Sequence, residues 1–245
     1  MDKNLEHSES GQPIYRYENT DHQWKAPVYG DDVLCEKLEE HIEKYIGEIE
    51  SVFHEVASDT IHLDVYYIKP NELRNCHTFI TSGMSFLPMN TPEGAEDCKY
   101  AELMICLPEN WSVSQEAFKD EKNYWPIRLL KYMARFPHEY ETWLGFAHTI
   151  PNGNPAGPLT DGTKLNGVML LPPILVDGQF ISLKVDEERT IGFYAIVPLY
   201  EEEMNYKLKY GYEGLLDKFD EFGLNEIIDI NRKNTCKKSF WPFRK

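Results

Sequence analysis

Apolar side chains alternate at residues 61, 63, 65 and 67 until Pro70, and further short apolar runs follow at 77–81 and 101–107 before a second helical pattern begins. Strands that arrive in clusters, instead of alternating strictly with helices, do not build a doubly wound parallel sheet. The order therefore predicts an α+β fold: a mixed or antiparallel sheet with flanking helices, in a single domain. Ahead of the first strand, Leu34, Leu38, Ile42, Tyr45, Ile46 and Ile49 recur at three- and four-residue spacing among Glu and Lys, an amphipathic helix for which Asp32 is the expected cap. A second helix is expected to open at 123–126, with Pro126 at its first position, and to stop at Pro137. Segments 168–171, 180–185 and 191–197 read as strands, and 201–222 reads as an acidic closing helix interrupted around Gly211 and Gly214. The Pro/Gly-rich stretch 150–168 reads as a long connection, and loops of that length are often functional.

No internal repeat or composition break divides 31–231, so the expected organisation is a polar arm over 1–30, one domain over 31–231 and a basic tail over 232–245. No stretch reaches the roughly 20 apolar residues of a spanning helix, and residues 1–30 lack the apolar run of a signal peptide. Five widely spaced cysteines without a C-x-x-C pair suit free thiols in a reducing compartment, which predicts a cytoplasmic protein. The 245 residues carry 25 bases against 41 acids, a net charge of −16. The last fourteen residues hold six of those bases and no acid, so the first 231 hold 19 against 41 and carry −22. Such a body repels phosphate backbones, which argues against nucleic acid; the surplus acid suits basic protein partners or, equally, simply keeps the chain soluble.

Enzyme signals are weak. There is no phosphate-cradling G-x-x-x-x-G-K-[ST] loop, no G-x-G-x-x-G, no H-E-x-x-H and no G-x-S-x-G elbow. His62 and Asp64, two apart on one strand face, are expected to be a rim hydrogen-bonding pair, with a shared ion as the alternative. A metal-dependent hydrolase would require His62, Asp64, His148 and Ser82 in one cleft. The expectation is that the chain has no catalytic residues, no metal ligands and no cofactor. Aromatic residues make up 13% of the chain, and 142–148 (TWLGFAH) reads equally well as an exposed platform or as a strand buried on both faces.

Five segments carry a resemblance to a known family: residues 77–85 (HTFITSGMS) with Pro88 and Met89, 101–108 (AELMICLP), 125–136 (WPIRLLKYMARF), 146–153 (FAHTIPNG) and 168–173 (VMLLPP). In this order, over roughly residues 30 to 230, the chain resembles Suppressor of Fused domain proteins, and the phrasing of its motifs is similar to the bacterial, stand-alone type. The resemblance implies an α+β domain without established catalytic activity. Larger animal members sequester a transcription factor through protein contacts, with a second lobe for which this chain leaves no room, and bacterial members resemble immunity proteins. The implied function is a non-enzymatic protein-binding domain, an immunity or inhibitor protein for a toxin of basic, nuclease type. A regulatory adaptor or scaffold is the alternative.

For the partner-binding surface the sequence singles out Ser82, Gly83, Met84 and Ser85 at a strand exit, with His148, Asn152 and Gly153 in the loop beyond. The turn residues would orient backbone donors and acceptors towards a partner strand. His148 and Asn152 would supply polar contacts at the rim. A monomer with a protein partner, no nucleic acid and no membrane completes the expectation.

Overall fold

The computed structural model describes residues 6–17, 26–54 and 60–237. A short hairpin, β1 (Glu6–His7) and β2 (Pro13–Ile14), is followed by helix α1 (Asp32–Tyr45) and strands β3 (Ser51–His54), β4 (Asp64–Ile68), β5 (Cys76–Ser82) and β6 (Tyr100–Pro108). Helix α2 (Glu121–Glu139) precedes β7 (Thr149–Pro151), β8 (Leu165–Leu171), β9 (Ser182–Lys184) and β10 (Thr190–Tyr200), and α3 (Glu201–Phe222) closes the fold. The main sheet runs β3-β4-β5-β6-β10-β8-β7, with β9 pairing to the start of β10. Only β6 and β10 run parallel among its pairs. The sheet is mixed, and the fold is α+β in one domain.

The central strands are apolar on both faces because both are covered. Along β6, Leu103, Ile105 and Leu107 point to α2, where Trp125, Ile127, Leu130, Met133 and Ala134 meet them. Met104 and Cys106 point to the opposite face, where Leu34, Leu38 and Ile42 of α1 pack with Phe180 and Phe193. Helix α3 covers the far end of that same face through Met204, Leu215 and Phe219 on Met169 and Leu199.

Several expectations are corrected. The α1 cap is Asp31, whose carboxylate accepts from the Leu34 amide at 2.7 Å, and Asp32 is the first helical residue. Helix α2 starts at Glu121 under an Asp120 cap, so Pro126 lies well inside it and Pro137 sits near its end without stopping it. Burial of both prolines against the sheet outweighs the local preference. Segment 142–148 is neither strand nor platform: it is irregular, with Ala147 at φ 61° and Leu144 buried while Phe146 is exposed. Residues 178–181 form a single 3-10 turn ahead of the short β9, in place of one strand over 180–185. The edge strands β3 and β7 have no counterpart in the sequence reading. Helix α3 matches its expected span and kinks at Gly211, whose φ of 88° and ψ of 167° leave the helical region. The five cysteines, all described, are free, and no helix of the described residues is long and apolar enough to cross a membrane.

Candidate functional site

The strand exit after β5 is built around one carboxylate. Glu102, on β6, has no exposed surface. Its Oε2 accepts from Thr81 Oγ1 at 2.5 Å, and its Oε1 accepts from Ser85 Oγ at 2.6 Å and from the Gly83 and Ser85 amides at 3.0 Å each. Burial pushes the carboxyl above its ordinary range, and the hydroxyls of Ser85 and Thr81, then the two amides, oppose that shift. The T-S-G-M-S turn therefore points inward, with Ser82, Met84 and Ser85 all buried. Gly83 has a φ of 144°, and a Cβ there would stand 2.3 Å from the His62 carbonyl oxygen. Absence of a side chain lets the turn close onto the chain entering β4. The signal that could have revealed this cage was Glu102 itself, an acid inside an otherwise apolar strand, which requires donors from somewhere.

Next to this turn lies a corner partly open to solvent, with His54 exposed and His62 and Asp64 half-buried. The β3–β4 register sets His54 directly across from Asp64, and Asp64 in turn opposite Ser82 of β5. His54 Nδ1 lies 2.9 Å and His62 Nε2 3.2 Å from the same Asp64 oxygen. Tyr29 stacks on the His62 ring at 4.7 Å, held by Val28, whose carbonyl accepts from the His62 amide. The expected His62–Asp64 pair is present, and His54 is the member that the sequence reading missed because β3 was not foreseen.

The other singled-out residues sit at the opposite edge. His148 packs edge-on to Trp143 at 4.3 Å, and its pKa is lowered to about 4, chiefly by burial and then by the nearby Lys207. It is a neutral ring near pH 7. The Asn152 amide nitrogen donates to the carbonyls of Gly157 and Pro158, which staples the loop beyond β7, and Gly153 takes a φ of 93° in that turn. Four strand spacings separate β5 from β7, about 19 Å, so the structure does not bring the two groups of residues into one surface. His62, Asp64 and Ser82 are likewise far from His148, and the four-residue cleft required of a hydrolase does not assemble.

Two further buried charge clusters brace the fold. Arg74 meets Glu226 at 3.2 Å and the Cys106 thiol at 3.2 Å, and Glu226 also accepts from the Ile174 and Leu175 amides. Cys76 shares this cluster, and its thiol is lowered by a hydrogen bond with Cys106 and by the Arg74 charge, while Cys106 is raised. Arg232 grips both oxygens of the buried Glu203 at the start of α3, where Thr235 adds its amide and hydroxyl. The first residues of the expected tail are thus packed on the body; 238–245 lie outside the described residues. At the other end, the described arm also lies on the domain, with Ser10 donating to the Leu208 carbonyl and Tyr17 packing on Phe136.

Charge is displayed on α1, where Asp31, Asp32, Glu36, Glu39, Glu40 and Glu43 are all exposed, against Lys37 and Lys44 as the bases of that helix. An open mixed sheet covered on both faces, with inward-facing polar cages and an acidic outer helix, defines the class: an α+β domain. Residues 59–233 match the family described as Suppressor of fused protein (SUFU), and the chain belongs to that family. A Ureaplasma parvum serovar 3 protein without known function is 25% identical over 177 residues, covering 72% of this chain and 81% of its own. Among solved structures, a Neisseria gonorrhoeae SUFU homolog is similar with a TM-score of 0.59 at 18% identity, covering 84% of this chain and 97% of its own. A chain of a Sufu–Fu complex follows with a TM-score of 0.57 at 15% identity, covering 86% and 93%. At these identities the structural likeness is one of fold.

Proposed function

We propose that this chain is a non-enzymatic protein-binding domain whose acidic α1 face receives a basic partner, and that the partner is a toxin it neutralises as an immunity or inhibitor protein. The observation that carries the reading is the set of six exposed acids on α1 and its cap. Toxins that cut nucleic acid present basic surfaces to phosphate, so an inhibitor covering such a surface gains association rate from negative charge. A fold neighbour solved in a Sufu–Fu complex supports protein binding as the use of this scaffold.

In this reading the protein works as a cytoplasmic monomer without cofactor, nucleic acid or membrane. Ser82, Gly83, Met84 and Ser85 serve the surface from beneath, holding the chain that enters β4, while His148, Asn152 and Gly153 shape the other edge. A regulatory adaptor is the second reading, favoured by the same fold likeness. Co-purification of the full chain from its native cell, with partners identified by mass spectrometry, tests both. One stoichiometric basic toxin domain is the expected result; several partners without a toxin would favour the adaptor. Turnover of a model ester or phosphodiester by the purified chain would contradict the non-enzymatic reading.

A further inference from the structure

We propose that His54, His62 and Asp64 form a binding site for one divalent transition-metal ion of the zinc class. The three side chains converge for a reason that lies in the backbone. Antiparallel pairing of β3 with β4 puts His54 opposite Asp64, and His62, two residues before Asp64, falls on the same side of the chain. Their ligand atoms all lie within 4.8 Å of one another.

Tetrahedral zinc with bonds of 2.0–2.1 Å holds its ligand atoms about 3.3 Å apart. Two of the three separations, 2.9 and 3.2 Å, already lie near that value. The third separation, between the imidazole nitrogens, is no more than 4.8 Å. The His54 side chain is 66% exposed, so solvent and not packing surrounds most of the ring. His62 is the opposite case: Tyr29 stacks on its ring and the Val28 carbonyl and Gly83 hold its backbone. A fixed ligand on one side and an adjustable one on the other let the ion be captured without rebuilding the sheet.

The surroundings favour a cation. Burial raises the Cys35 thiol, and the negative charges of Glu39, Asp31, Asp32 and Asp64 raise it further. Two imidazoles and one carboxylate select borderline ions such as zinc, cobalt or nickel over calcium and magnesium, which prefer all-oxygen shells. Three protein ligands also leave a coordination position for water. A rim pair, as expected from sequence, needs two members; the third arrives only with the strand register. The inference stands apart from the proposed partner, since the ion binds the free chain.

The test uses the metal-free full chain, titrated with zinc chloride and separately with cobalt(II), whose absorption spectrum distinguishes nitrogen and oxygen ligands from thiolates. The expected result is one equivalent bound with a nitrogen/oxygen-type cobalt spectrum. H54A, H62A and D64N should each weaken binding by more than the about 10- to 100-fold typical of outer-shell partners, while circular dichroism matches the wild type. Because His54 is exposed and Asp64→Asn keeps its shape, these two variants carry the test if His62→Ala fails to fold. Absence of a stoichiometric site, unchanged affinity in H54A and D64N, or a thiolate spectrum would overturn the proposal.

Discussion

Glu102 and Asp64 lie two strands apart on either side of β5, and they are treated in opposite ways. Glu102 is sealed in and satisfied by four neutral donors, two of them backbone amides. Asp64 reaches the rim and is shared by two imidazoles. An inward carboxylate with fixed neutral donors has one use, to pin a turn in place, because any movement strips a buried charge of its partners. A carboxylate at the rim beside two imidazoles remains open to exchange with a ligand. The T-S-G-M-S turn is therefore packed inward, beside the more open corner of His54, His62 and Asp64 one strand further out.

That contrast can be broken most sharply at Gly83. A Cβ there meets a backbone oxygen at 2.3 Å in a conformation that disfavours side chains, so G83A should lose roughly 3 kcal/mol in urea unfolding. A loss below about 1 kcal/mol would show that the turn does not depend on its approach to the His62 chain. Next comes E102A, which leaves buried donors unpaired at about 1–3 kcal/mol. E102Q keeps an acceptor for Ser85 and Gly83 and should cost visibly less than E102A in the same assay.

The E102Q chain also isolates a pH dependence. Burial raises the folded pKa of Glu102 above the ordinary 4.5, so the folded state holds this proton to higher pH than the unfolded state does. Its contribution is favourable below that range and is lost as pH rises from there through the folded pKa. Unfolding midpoints of wild type should therefore fall, relative to those of E102Q, as pH rises from about 4.5 through the raised folded pKa; parallel curves would remove Glu102 as a strained carboxyl. The smallest effect is expected at the rim, where D64N should change stability by less than about 1 kcal/mol. A larger loss would make Asp64 part of the scaffold too.

Legibility in the sequence followed the same division. Elements with strong periodicity were readable: α1 from its stripe, α3 to its exact bounds with its break near Gly211, and the central strands from unbroken apolar runs. The short edges were not. Ser51–His54 and Thr149–Pro151 carry too few residues to show a period of two, and they are strands only because β4 and β8 offer them free edges. Missing β3 meant missing His54. The Ser82–Ser85 turn was found by its Gly and hydroxyl content, but its direction was not legible, because Glu102 lies about twenty residues away and meets it only through β5–β6 pairing. The prolines of α2 misled for a related reason: local rules place Pro at helix starts, and packing against the sheet overrode them.

The proposed role of the acidic outer helix as the working surface, in place of a catalytic cleft, is a matter of charge. Its most direct test is the association rate of the co-purified partner with wild type and with an E36K/E39K/E40K/E43K variant, each followed across ionic strength by surface plasmon resonance. The expected result is a wild-type rate that falls steeply with salt, and a variant that associates slowly and with little salt dependence. Equal rates and equal salt slopes for the two chains would contradict it.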